Sequence, residues 1–257
     1  MSYSRLAAAV AAAAAITCSC GPATAPAIDP GLASCVTSGA VLIAGLDLDR
    51  LRASPLYPKL TPVVGMAIEP LGNASKLLVT WDGKSFVFVA RGKFREAPAG
   101  ATLIDSTLAI SGPAEAVRGA IARHKTGITG APDLLGRAAS VAGSAEIWAA
   151  VRGRVTLPLT GNAANLNRLL HQVDYFTFTA KLGARIDLDL TGASRTADEG
   201  QRLEETLRAI VSLTEAASPR LEPILQSVQV RREGPIVHVI LPADADAVGQ
   251  AVDALTR

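Results

Sequence analysis

A chain of 257 residues carrying 25 Lys and Arg against 23 Asp and Glu is close to neutral, at +2. That balance argues against a dedicated nucleic-acid surface, because phosphate recognition needs a concentrated basic patch. Aromatic residues make up only 4%, so stacking platforms for bases or sugars are not expected. The length allows one large domain or two small ones with real cores.

Residues 1–20 read MSYSRLAAAVAAAAAITCSC. Arg5 provides a basic start and residues 6–16 an apolar run, short of the about 20 needed to span a bilayer but suited to a secretory signal peptide. The stretch Thr17-Cys18-Ser19-Cys20-Gly21 resembles a bacterial lipobox, in which a cysteine behind small residues is acylated and becomes the mature N-terminus. Cys20, behind Ser19, fits better than Cys18 behind Thr17; the leucine usual three residues before the cysteine is here Thr17. The resemblance implies an extracytoplasmic lipoprotein held on a membrane through Cys20. Cleavage after Ala27 would instead give a soluble periplasmic or secreted protein. Residues 21–31, rich in Pro and Ala, read as a tether. Cys35 is then the one cysteine of the folded part, and reads as a structural thiol.

Order is expected from about Leu32. Residues 40–49, AVLIAGLDLD, begin as a continuous apolar run, the mark of a strand covered on both faces. Ser54 before Pro55 predicts a short capped helix. Residues 76–92, KLLVTWDGKSFVFVARG, predict a hairpin turning at Asp82-Gly83, with Leu77, Val79 and Trp81 on one face of its first strand and Phe86, Phe88 and Ala90 on one face of its second. Residues 101–111 predict a strand bent or split at Asp105-Ser106, followed by helices over 113–124 and 133–141.

From residue 144 the pattern restarts. A strand over 144–155 and a helix over 162–171 lead to a hairpin over 175–191. There Phe176, Phe178, Ala180, Leu182, Ile186, Leu188 and Leu190 alternate with Arg185, Asp187 and Asp189. Thr196 and Glu199 form a capping box for a long helix whose stripe of Leu203, Leu207, Ile210 and Val211 is expected to cover Phe176, Phe178, Ile186 and Leu188. A hairpin over 228–241 and a terminal helix capped by Asp244 close the chain. The fold class is α+β: two similar lobes, 32–143 and 144–257, of largely antiparallel sheet with helices packed on one face, and a candidate internal duplication.

Two Asp-Leu-Asp triplets invite attention, since carboxylates two apart on a strand lie about 7 Å apart on one face and suit a cation or an acid-base pair. Asp187 and Asp189 are explained by alternation as a solvated strand face. Asp47 and Asp49, where a strand exits toward a helix, are kept as candidate binding residues. His124, His171 and His238 are isolated, with no metal-ligand spacing among them. No catalytic residue, metal site or cofactor is assigned, because no nucleophile elbow, Walker loop or Rossmann fingerprint occurs. The stretch GLDLDRLRASPLY, residues 45–57, resembles uncharacterised secreted bacterial proteins, a likeness that attaches no activity.

These readings give a non-catalytic binding or scaffolding module of the cell envelope, reaching the membrane through its lipid anchor, with an envelope protein as candidate partner and no role for nucleic acid. The alternative is an extracytoplasmic carrier of a lipid or small apolar molecule. A hydrolase comes third and would require distant residues such as Asp47 and His171 to converge.

Overall fold

The structure is a computed structural model and describes residues 28–58, 71–156, 166–217 and 222–244. The signal peptide with Cys20, most of the tether and the helix expected after Asp244 lie outside the described residues.

The fold begins earlier than expected. Ile28 is already buried, and Asp29 caps the first short helix, α1 (Pro30–Ala33), accepting from the N–H groups of Gly31 and Leu32. The same carboxylate meets the Arg91 guanidinium at 3.1 Å. A capped, proline-started turn with a long-range ion pair holds residues that composition alone assigns to a tether.

Strand β1 (Leu42–Asp47) runs directly into helix α2 (Leu48–Ala53). Asp47 accepts from Arg50 N–H at 3.0 Å and so starts this helix seven residues before the expected Ser54 site. Ser54 closes it instead, donating to Leu182 carbonyl and accepting from Leu56 N–H; the helix expected beyond it lies largely outside the described residues. The first hairpin, β2 (Ala74–Trp81) and β3 (Phe86–Gly92), has the expected register, with Trp81 opposite Phe86, Val79 opposite Phe88 and Leu77 opposite Ala90. Asp82 accepts from the N–H groups of Lys84 and Ser85, and Gly83 takes the positive φ of 95° that the tight turn requires. The chain splits at Asp105-Ser106 into β4 (Thr102–Asp105) and β5 (Leu108–Ser111). Helices α3 (Ala114–Thr126) and α4 (Pro132–Ala142) follow.

The second half supplies β6 (Ile147–Arg152), helix α5 (Leu166–Leu170), the hairpin β7 (Tyr175–Leu182) and β8 (Arg185–Ala193), helix α6 (Ala197–Ala217), the short α7 (Glu222–Leu225), and the hairpin β9 (Gln229–Glu233) and β10 (Ile236–Asp244). The ten strands among the described residues belong to one antiparallel sheet, in the order β4-β5-β3-β2-β1-β6-β7-β8-β10-β9. The halves are not two sheets: each contributes five contiguous strands, joined where β1 pairs with β6. Counted outward from that seam, both halves run first, second, third, fifth, fourth strand.

The fold is thus α+β with an antiparallel sheet, but its helices are divided between the two faces rather than gathered on one. The front face carries Ile43, Leu78, Val87, Val89 and Ile110 under residues of α1, α3 and α4, including Leu32, Ala120, Leu134 and Ala138. On the back face α2 brings Leu48 and Leu51 onto Ala90, Ala109, Ala180 and Ile186, strands of both halves. The outer part of the second half is covered by Leu203 and Leu207 of α6, packed with Phe176 and Val237.

This corrects the expected roof of the second hairpin. Phe176 does lie with α6, whereas Phe178, Ile186 and Leu188 belong to the cluster around α2. Alternation places all four on one face; which helix covers them depends on the β1–β6 pairing, a contact between distant parts of the chain.

Candidate functional site

The back face of the first hairpin departs from the usual burial of large apolar side chains. Phe86 and Phe88 are 40% and 41% exposed, whereas Val87 and Val89, which alternate with them on the front face, are fully buried. Trp81, Phe86 and Phe88 stack in a row, with ring centroids 5.7 and 6.3 Å apart. Beside Phe88 the cross-strand row reads Leu77, Ala90, Ala109, Leu103 across β2, β3, β5 and β4. Two alanines at the middle of a row flanked by larger side chains leave a hollow.

That hollow is an open groove of about 250 Å³ lined by Leu71, Leu77, Phe88, Ala90, Ala101 and Ala109 among others. None of its lining residues is titratable, and its one hydroxyl, Ser111, donates to Gly100 carbonyl at 2.8 Å. The groove can desolvate an apolar group, at roughly 25 cal/mol per Å² of apolar surface covered. Among the described residues that line it there is no acid or base able to act on one.

The residues singled out in the sequence are placed elsewhere. The two carboxylates of the first triplet do not share a strand face, because the helix begins between them: Asp47 is its cap and Asp49 lies in its first turn. Asp49 is exposed, 3.5 Å from Arg52, in an open cleft that Arg52, Arg91 and Lys93 also line. His171 sits beyond α5, its Nε2 3.5 Å from the Thr156 hydroxyl. This lies toward the Leu42 end of β1, where Arg152 N–H bonds Val41 carbonyl, while Asp47 is at the other end, so the two do not converge.

His124 and His238 each meet a hydroxyl. Ser34 Oγ lies 2.8 Å from Gly31 carbonyl oxygen and 2.7 Å from His124 Nδ1. His238 Nδ1 lies 3.0 Å from Thr191 Oγ1, which itself donates to Asp189 at 3.0 Å. Cys35 is fully buried, and burial pushes its thiol up to about 11. Among the described residues no group of three His, Cys, Asp or Glu is placed to hold a metal ion.

Sequence reasoning missed Glu146, a buried carboxylate just before β6. It accepts from Leu182 N–H at 2.8 Å and meets Arg50 of α2 at 2.5 Å. No spacing signals it, since its partners come from both halves.

No family model matches this chain, and neither does any curated protein. Solved structures do resemble it. Crystal form III of TP0453 superposes with a TM-score of 0.53 at 10% identity, over 88% of this chain and 98% of that one. Crystal form I gives 0.52 at 9%, over 89% and 98%, and form IV gives 0.50 at 9%, over 88% and 96%. At these identities the likeness is one of fold, and it spans nearly all of both chains.

Proposed function

We propose that the chain is a cell-envelope lipoprotein that acts by binding rather than catalysis, and that its back-face groove takes the apolar part of a ligand. The observation that carries this reading is the combination of two exposed phenylalanines with an alanine-floored hollow whose described lining residues include no titratable group. Apolar pockets with few polar groups are the usual form of small-molecule sites. The groove favours the carrier reading over a scaffold with a closed core. Anchorage at Cys20 would keep the module at a membrane, and an envelope protein remains the candidate partner.

Titration with a fluorescent long-chain fatty acid tests the groove. Saturable binding is expected, weakened about tenfold or more by Phe88→Glu, which places a charge at the groove wall. No saturable binding, or equal binding by the variant, overturns the assignment. Anchorage is tested separately: Cys20→Ala is expected to abolish acylation and membrane association, and a mature unacylated chain beginning at Ile28 would exclude the lipoprotein reading.

A further inference from the structure

The two halves of the sheet match on the back face but differ in chemistry at four of five equivalent front-face positions. From the seam pair Ala44 and Ala149, the ladders run Ala44, Val79, Phe88 in one half and Ala149, Phe178, Leu190 in the other. One residue along, the front-facing row of the first half is Leu78, Val89, Ile110; its counterpart is Thr177, Thr191, His238. The next row places Thr80 and Val87 opposite Thr179 and Asp189. Leu78, Val87, Val89 and Ile110 are at most 1% exposed and form the floor of the front core. Where that core would continue, the second half presents hydroxyls, a carboxylate and an imidazole.

This polar floor is not a flat wet surface. With Val141 and Ser144 at the end of α4 as one wall, it forms a cavity of about 370 Å³. Thr177 on its floor is only 8% exposed. Asp189 accepts from Thr191, whose oxygen then faces His238 Nδ1, so the floor is fixed by its own hydrogen bonds. A partly buried polar lining costs stability unless it finds partners; at four of the five equivalent positions the first half is apolar, with Leu78, Val87, Val89 and Ile110, and shares a threonine only at Thr80.

We propose that this front-face cavity is a binding site for a neutral saccharide, separate from the back-face groove. The Thr177 and Thr179 hydroxyls can donate and accept, as sugar hydroxyls do, while Thr191 and Ser144, whose protons go to Asp189 and to Val141 carbonyl, can accept. Two carboxylates, Asp187 and Asp189, can each accept from neighbouring hydroxyls, and Lys181 can donate to ring or hydroxyl oxygens. Two acids against one ammonium disfavour an anion. Ile240 and Val141 offer apolar contact to the C–H face of a ring. Recognition here rests on hydrogen bonds without a stacking platform, since Tyr175 on the same face is already covered by the Arg137 guanidinium, 4.1 Å from its ring centroid.

The test is saturation-transfer NMR of the full chain with glucose, mannose, N-acetylglucosamine and maltose at millimolar concentration. Transfer to at least one of them is expected, reduced at least fivefold in Asp189→Leu and in Thr179→Val and unchanged in Phe88→Glu. Circular dichroism identifies a variant that fails to fold, and the other then decides. No transfer to any of the four sugars overturns the proposal, as does equal transfer in the folded front-face variants. Transfer to spermidine in place of the sugars assigns the cavity to a cationic amine and overturns it equally.

Discussion

At Gly45 the sheet has no room for a side chain: a Cβ there would enter the indole of Trp148, its cross-strand neighbour. Gly45→Ala is therefore expected to cost about 1–3 kcal/mol, the usual range for overpacking a filled core, read from urea melts. A near-neutral result would mean the indole has a second place to go. At Phe178 the argument is burial. The ring is half-buried among Leu48, Leu51 and Ile186, so Phe178→Ala should fall at or below the low end of the roughly 3–5 kcal/mol typical of buried Phe. Asp187 on the opposite face is exposed, and Asp187→Asn should stay within about 0.5 kcal/mol. The inward and outward sets of this hairpin were legible because strand alternation is local. The identity of the roof was not, since it comes from α2, far away in the chain. For the same reason Asp47 could be seen in the sequence as a candidate but not as a cap until the strand end was placed.

Helix α6 shows how far an amphipathic stripe predicts packing. Its capping box forms, with Glu199 N–H donating to Thr196 and Arg195 N–H donating to the Glu199 carboxylate. Leu203 and Leu207 are buried as their spacing implies, but Ile210 is 39% and Leu213 70% exposed, so the packed stripe covers only part of the helix. A polar clamp assists it. Glu204 accepts from Arg208 at 2.9 Å and from Arg232 of β9 at 3.0 Å, and these bonds hold its carboxyl below the ordinary glutamate value of 4.5. A carboxyl depressed in the folded state stabilises above its unfolded pKa and loses that contribution as pH falls through its folded one. Glu204→Gln is therefore expected to lower the melting temperature at neutral pH. The gap between variant and parent should close on acidification to well below pH 4.5. Because the clamp is near the surface, added salt should narrow the gap as well. A gap that persists unchanged at low pH would show that shape, not charge, matters there.

At the scale of the whole molecule, element order in the sequence suggested a recurring unit; what the sheet itself gives is one strand order, counted from the seam, common to both halves. The helices do not follow: α3 and α4 come after the fifth strand of the first half, whereas α6 lies between the third and fourth strands of the second. What makes one body of the two halves is non-local and left no mark in composition or spacing. β1 pairs with β6, Arg50 reaches Glu146, Ser54 Oγ donates to Leu182 carbonyl, and Leu48 and Leu51 pack with Ala180 and Ile186. A core shared in this way cannot lose one half and keep the other, since removing β6–β8 would strip the cover from α2. Unfolding is expected to be a single cooperative transition. The chain offers a direct check, because its two tryptophans report one from each half: Trp81 ends β2 and Trp148 lies in β6, both buried. In Trp81→Phe and in Trp148→Phe the remaining indole fluorescence should follow the same urea curve as far-UV circular dichroism. Within each variant the comparison is internal, so any stability change from the substitution itself cancels. A fluorescence midpoint displaced from the dichroism midpoint, in opposite directions in the two variants, would mean that the halves unfold as separate units and that the β1–β6 seam is a contact between lobes rather than the centre of one sheet.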